Sequence, residues 1–163
     1  MQDYGLDAIG AYAVGGGKPY ASLAGQAHQF WEAGKATGAN VVPIVSSGWD
    51  NRPFLENPAP WYSCASTNYT LPPTPDQLAN HLADALDWTG RNRASVTQAN
   101  TVLIYAWNEH AEGGWLCPTL NPDGSGNSER LAAIATKLKG GPDNHVALPS
   151  EKNSKPRQPN KKP

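Results

Sequence analysis

Three apolar, strand-like segments, at residues 7–14, 40–45 and 101–107, are each followed by a segment with apolar residues at helical spacing. This βαβαβα order predicts an α/β fold with a parallel sheet and right-handed crossovers. The three loops after the strands then meet at one edge and are long, whereas the opposite loops are short, as in a (β/α) barrel. A full barrel takes about 250 residues. Because the chain has 163, we predict a partial (β/α) barrel of three consecutive parallel strand–helix units, not long enough to close.

The helical segments carry sequence signals of their own. Residues 74–77 (Thr-Pro-Asp-Gln) predict a helix start, with Thr as the N-cap, Pro in the first turn and Gln closing a capping box. The last helix should turn four apolar residues toward the core: Leu131, Ile134, Ala135 and Leu138. Three parallel strands cannot close a barrel and would leave sheet edges unpaired. We therefore expect a homo-oligomer or a part of a larger chain, and the alternative is an open sheet with helices packed around it.

Charge and composition divide the chain into a partial-barrel domain, residues 1–141, and a tail, residues 142–163. The tail holds five of the 15 prolines and five of the 13 basic residues but few large apolar groups. This composition predicts a disordered basic Pro/Lys-rich tail. The domain has 8 basic and 12 acidic side chains, a net charge of −4, and six tryptophans. A mildly acidic, Trp-rich body favours neutral ligands such as sugars over nucleic acid.

No apolar run approaches the ~20 residues that a membrane-spanning helix needs, so no membrane span is predicted. The first residues lack the basic and apolar regions of a signal peptide, and the localisation stays undetermined. Cys64 and Cys117 follow the second and third strand segments, where a disulfide would join two neighbouring loops. Such a bridge would indicate a secreted or periplasmic protein. The alternative is two free thiols.

The third strand segment is followed by residues 108–112 (Asn-Glu-His-Ala-Glu), a polar run that a buried strand does not require. Loops after the carboxyl ends of strands are where α/β proteins build their sites. Paired carboxylates beside aromatic side chains are the groups that split glycosidic bonds. We therefore predict a hydrolase of poly- or oligosaccharides in which Glu109 and Glu112 are catalytic. Seven further residues are predicted to bind the carbohydrate substrate: Trp49, Asp50, Arg52, Trp61, Asn108, His110 and Trp115.

Other roles remain open for these residues. Arg52 would clamp Asp50 or Glu109, or be a solvated surface residue. The leading hypothesis needs no cofactor, but four residues would alternatively form an oxygen-rich site for a divalent cation such as Ca²⁺: Asp50, Glu109, His110 and Glu112. An ester or lactone hydrolase would use a carboxylate- or metal-activated water at the same loops, since no Gly-x-Ser-x-Gly element is present. The third alternative is a non-catalytic carbohydrate-binding barrel fragment.

Two motifs together resemble a known family. Residues 48–53 (Gly-Trp-Asp-Asn-Arg-Pro) and 106–113 (Ala-Trp-Asn-Glu-His-Ala-Glu-Gly) are similar to elements of the endo-α-mannosidase-like glycoside hydrolases, above all their relatives from bacterial polysaccharide loci. The resemblance implies a (β/α)₈ barrel that hydrolyses α-linked glycans with retention. In that family the first Glu of Glu-x-x-Glu deprotonates the sugar 2-hydroxyl, and the second protonates the leaving oxygen. By position, the resemblance implies that Glu109 is the base and Glu112 the acid/base.

The chain departs from the family pattern at two positions. The family usually has Leu-Glu-Pro where this chain has Leu-Cys-Pro at residues 116–118, and it has Trp where this chain has His110. The resemblance covers the region from residue 40 to residue 140. It implies that the three strand–helix units correspond to the C-terminal part of a barrel.

Overall fold

The computed structural model describes residues 5–15, 17–58, 60 and 69–140, and the bounds below refer to these. The helices are α1 (Tyr20–Ala36), α2 (Pro53–Glu56), α3 (Pro75–Arg91) and α4 (Glu129–Lys139). The strands are β1 (Ile44–Ser46), β2 (Leu103–Tyr105), β3 (Asn108–Glu109), β4 (Gly114–Trp115), β5 (Thr119–Leu120) and β6 (Gly126–Asn127). Single 3₁₀ turns occur at Arg93–Ser95 and His110–Glu112. The predicted tail, Trp61 and Cys64 lie outside the described residues.

The second and third predicted strand segments pair in parallel. Ile44 lies opposite Leu103 and Ser46 lies opposite Tyr105, and α3 connects the two strands. This β1–α3–β2 unit confirms the parallel arrangement for these two segments. Two antiparallel pairs follow, β3 with β4 and β5 with β6, so the described strands form two-stranded sheets only. The fold is therefore mixed α/β, and the described sheets do not form a barrel.

The prediction of a strand at residues 7–14 is wrong. In its place there is one parallel bridge between Ile9 and Val41, with Val42 donating its N–H to the carbonyl of Ile9 at 2.8 Å. Val41 also bridges Val96 on its other side. Alanine and glycine make up much of the segment, and these residues favour strands weakly because they offer little side chain to pack.

The core lies between α1, α3 and the β1–β2 pair. The fully buried side chains include one apolar stripe from each long helix and the apolar residues of β1: Leu23, Ala27, Trp31, Leu78, Ala85, Trp88, Ile44 and Val45. Both buried indoles have partners for their N–H groups. Trp31 donates to the carbonyl of Ile44 at 3.1 Å, and Trp88 donates to Glu32 at 2.6 Å. Apolar burial with satisfied N–H groups fixes both helices against the strands.

The predicted start of α3 is confirmed. Gln77 donates its backbone N–H to the Thr74 hydroxyl at 3.2 Å, and its side chain accepts from the Thr74 backbone at 2.9 Å. The prediction for α4 is only half right. Ile134 is buried and Leu131 is partly buried, but Ala135 and Leu138 are exposed. Among the described residues α4 packs mainly on α3, which covers only a narrow stripe of its surface.

A buried polar cluster joins α1, β1 and α3. The Tyr20 hydroxyl donates to the carbonyl of Ser46 at 2.6 Å and lies 2.9 Å from His81 Nδ1. Because a phenol has one proton, we assign the proton of this second contact to His81 Nδ1. His81 Nε2 is then an acceptor, and it has no hydrogen-bond partner among the described residues. Burial lowers the pKa of His81 from 6.5 to about 4.

This cluster predicts that acid destabilises the fold. Between pH 6.5 and about 4 the unfolded chain binds a proton at residue 81 that the folded chain does not. The free energy of unfolding should therefore fall as the pH falls through this window, by about 3 kcal/mol in total. Urea denaturation at pH 4 to 7.5 measures it. His81→Gln is the control, because an amide does not titrate. Equal pH slopes for the two proteins would contradict the assignment.

Candidate functional site

The two loops that carry the sequence motifs are joined backbone to backbone. Asp50 donates its N–H to the carbonyl of Glu112 at 2.7 Å. Gly48 has a φ of +152°, and a Cβ built there would overlap the carbonyl oxygen of Gly113. Gly113 has a φ of +72°, and a Cβ there would lie 2.6 Å from the Asp50 nitrogen. Glycine is therefore needed on both sides of this junction.

The parallel strand pair ends in a second set of contacts around Ser47. Its backbone N–H and its hydroxyl donate to the carbonyl of Tyr105, at 2.6 and 2.8 Å. The hydroxyl also accepts the N–H of Ala106 at 3.1 Å. The loops after β1 and β2 thus start from one fixed point. This is the edge of the sheet at which the sequence predicts a site.

Tyr105, the last residue of β2, holds the Glu112 carboxylate. Its hydroxyl donates to Glu112 Oε2, and the residue is only 4% exposed. The ring meets Tyr12 edge to face at 5.1 Å between centroids and lies 6.0 Å from Trp49. A Cβ on Gly114 would come within 2.5 Å of the ring. Glu112 is therefore oriented by a phenol that its own surroundings keep in place.

The charges of both glutamates of the predicted pair raise the pKa values of the same two phenols, Tyr105 and Tyr12. Burial raises the pKa of Tyr105, and the hydrogen bond to Glu112 and the charges of Glu112 and Glu109 raise it further. The pKa of Tyr12 is also raised, first by partial desolvation and then by the charges of Glu112 and Glu109. Both phenols therefore keep their protons at neutral pH. The structure brings Glu109, Glu112, Tyr12 and Tyr105 into one neighbourhood.

Arg52 pairs with Asp50 rather than with Glu109. Its Nη2 lies 2.6 Å from Asp50 Oδ2, and its Nε lies 2.8 Å from Asp50 Oδ1. The guanidinium also lies 3.6 Å above the ring of Tyr69. Hydrogen bonds from Arg52 hold the pKa of Asp50 below its usual range. Asp50 is therefore a fixed anion with its partner already in place.

His110, Trp115 and Cys117 form a cluster beside the glutamate pair. The His110 ring lies 5.7 Å from the Trp115 ring, and His110 Nε2 lies 3.3 Å from Cys117 Sγ. The guanidinium of Arg130 stacks on Trp115 at 3.9 Å and donates to the carbonyls of Trp115 and Ser47 at 2.8 and 3.2 Å. Trp115, Cys117 and Arg130 line a cleft of about 170 Å³. Because Arg130 lies on α4, these contacts connect α4 to the candidate site.

The remaining predicted residues are placed as follows. Trp49 is partly buried against Tyr105, and Asn108 is exposed and pairs with Trp115 across β3 and β4. Trp61 lies outside the described residues, as does Cys64 of the predicted disulfide. Cys117 carries a free thiol. In the part of the chain that the structure describes, no three His, Cys, Asp or Glu side chains group closely enough to hold a metal ion. The calcium alternative stays a hypothesis.

Sequence reasoning missed several residues of this neighbourhood. The pattern places Tyr105 and Tyr12 in strand segments, and the one signal for Tyr105 is that it directly precedes the motif at residues 106–113. Arg130 gave no signal, because it lies on a helix 15 residues beyond the tryptophan that it contacts. None of the described helices is both long and apolar enough to cross a membrane.

No model of a known protein family matches this chain, and neither does any curated protein or solved structure.

Proposed function

We propose that this chain hydrolyses glycosidic bonds of a poly- or oligosaccharide, with Glu109 as base and Glu112 as acid. The observation that carries the proposal is the contact between the Tyr105 hydroxyl and Glu112 at the carboxyl end of a parallel strand pair. A carboxylate that a buried phenol orients, close to a second carboxylate, is the arrangement that general acid–base chemistry needs. The motifs at residues 48–53 and 106–113 further support a relation to the C-terminal part of an endo-α-mannosidase-like barrel.

The proposed reaction proceeds in two steps with net retention. In the first step Glu109 takes the proton of the sugar 2-hydroxyl, whose oxygen attacks the anomeric carbon while Glu112 protonates the leaving oxygen. In the second step Glu112 takes a proton from water, and the water oxygen opens the strained sugar intermediate while Glu109 returns its proton. Tyr105 stays protonated and orients Glu112 in both steps, because its pKa is raised.

The aromatic surface around the pair suits a sugar substrate. Tyr12 is 69% exposed and Trp107 is 56% exposed, and both adjoin the elements that carry the glutamates. Sugar rings present C–H faces that pack on aromatic side chains, whereas their hydroxyls need hydrogen-bonding groups such as the exposed Asn108 amide. The net charge of −4 over residues 1–141 favours a neutral substrate over an anionic one.

An activity panel on the purified chain tests the proposal. α-Linked oligosaccharides should be cleaved with release of reducing ends, and nuclear magnetic resonance should show that the new anomeric centre is retained. Cleavage of ester or lactone substrates without glycan cleavage would favour a carboxylate-activated water instead. Binding without turnover would favour a non-catalytic carbohydrate-binding fragment, which the exposed aromatic residues and the small two-stranded sheets also fit.

Tyr105→Phe should lower kcat about tenfold and leave KM nearly unchanged. The variant keeps the buried ring but removes the donor to Glu112, and a hydrogen bond to a charged group is worth about 1.5–3 kcal/mol. Steady-state kinetics on a cleaved oligosaccharide measure the effect. Tyr69→Phe, at a ring that contacts Arg52 instead of a glutamate, is the matched control. A change in KM alone would show that Tyr105 binds substrate and does not position Glu112.

The expectation of a homo-oligomer or a larger chain stays a prediction. Among the described residues β2 pairs only with β1, and Leu103 on β2 is 48% exposed. Leu138 on α4 is 56% exposed. An unpaired edge and uncovered apolar side chains favour further packing.

A further inference from the structure

Cys117 and His110 form a thiol–imidazole contact that the proposed glycosidase chemistry does not use. Cys117 Sγ lies 3.3 Å from His110 Nε2. Packing of the His110 ring beside Trp115, and the hydrogen bond from the Cys117 backbone N–H to the carbonyl of Trp107 at 2.9 Å, fix both partners. A nucleophile within reach of a base is the arrangement that activates cysteine.

The thiol is accessible to small molecules. Cys117 is partly exposed, and it lines the cleft of about 170 Å³ together with Trp115 and Arg130. A cleft of this size admits a reagent of a few atoms. Reactive cysteines are found in partly exposed positions beside a basic group, whereas cysteines buried in apolar surroundings are inert.

The surroundings do not suit acyl transfer. The backbone N–H groups of Cys117 and of its neighbour Leu116 both bind the carbonyl of Trp107 at 2.9 Å. Arg130 Nη1 is occupied by the carbonyls of Trp115 and Ser47. These donors therefore cannot stabilise an oxyanion, which a Cys–His hydrolase requires. A reaction at sulfur that needs no oxyanion hole fits the pair better.

We propose that Cys117 is a site of oxidation by small hydroperoxides, with His110 as its base. His110 Nε2 takes the thiol proton, and the sulfur attacks one peroxide oxygen. The S–O bond forms as the O–O bond breaks, and the leaving hydroxide receives the proton back from His110. The products are a sulfenic acid at Cys117 and one water molecule for each hydrogen peroxide consumed. The pair needs neither glutamate for this step.

The rate of alkylation tests the base role of His110. In a Cys64→Ser background only Cys117 can react, and iodoacetamide at pH 7 should label the His110→Gln variant at least about tenfold more slowly. His28→Gln is the matched control, because that exposed histidine contacts Trp31 on α1, away from the pair. It should leave the rate unchanged. Equal rates for His110→Gln and its parent would overturn the proposal.

Two measurements on the unmutated chain do not depend on how a variant folds. Native Cys117 should be alkylated faster than N-acetylcysteinamide at the same pH, and hydrogen peroxide followed by dimedone should add one label at Cys117, found by peptide mass. A rate equal to or below that of the free thiol would overturn the proposal. So would an unreduced, denatured chain that takes up no alkylating label, because Cys117 would then be bridged to Cys64.

Discussion

Glu112→Gln is expected to lower the rate of glycan cleavage by about 10²–10⁴-fold, the usual contribution of general acid–base assistance. The amide keeps the size of the side chain and can still accept the Tyr105 hydroxyl hydrogen, so the fold should be preserved. It cannot donate a proton to the leaving oxygen or take one from water. Initial rates of reducing-end release, with circular dichroism to confirm folding, measure the effect.

Activated substrates sharpen this experiment. With an aryl glycoside whose leaving group needs no proton, Glu112→Gln should recover much of its first-step rate, whereas Glu109→Gln should not. Glu56→Gln is the control, because Glu56 is an exposed acid on the short helix α2. It should leave the rate unchanged. Retention of more than about a third of wild-type activity by Glu112→Gln would exclude it as the acid.

Gly48→Ala is expected to destabilise the fold by more than about 4 kcal/mol, because its methyl group would overlap a backbone carbonyl. The oxygen belongs to Gly113, and no side chain rotation can relieve the overlap. The φ of +152° at Gly48 is in addition unfavourable for alanine. The two motif loops would have to separate, which would also displace Glu112. Urea denaturation followed by tryptophan fluorescence measures the loss.

Gly25→Ala is the matched control for this substitution. Gly25 is exposed within α1, and a Cβ there would meet nothing within 4 Å. Because alanine favours helices more than glycine does, this variant should gain about 0.5–1 kcal/mol. The same chemical change should thus have opposite signs at the two positions. A loss below about 1 kcal/mol at Gly48 would show that the loop junction is more loosely packed than the structure indicates.

Local sequence signals predicted the helix start well. Thr74 and Gln77 form the capping box that residues 74–77 indicate, because both hydrogen bonds lie within one turn of the chain. The parallel pairing of β1 with β2 also followed from the pattern, since two apolar segments joined by an amphipathic helix have few other ways to pack. The prediction of the first strand was wrong because a strand in a sheet depends on neighbouring strands that its own sequence does not specify.

The prediction that Ala135 and Leu138 of α4 are buried was wrong for a related reason. Helical periodicity places Ile134, Ala135 and Leu138 on one side, but only a contacting partner decides which of them is buried. Among the described residues α4 packs mainly on α3, and Ile134 is buried while Leu138 stays exposed. A pattern therefore predicts which residues are able to face a core, and the neighbouring elements decide which residues do so.

By itself the sequence determined the chemical groups of the site and the elements that carry them. It placed Glu109 and Glu112 after β2 and the motif at residues 48–53 after β1, because strand ends and their loops are local features. Only the tertiary structure decided three contacts. The Tyr105 hydroxyl donates to Glu112, Arg52 forms its ion pair with Asp50, and His110 contacts Cys117. These contacts require ångström-level placement of side chains by packing between loops. Residue spacing along the chain does not specify that placement.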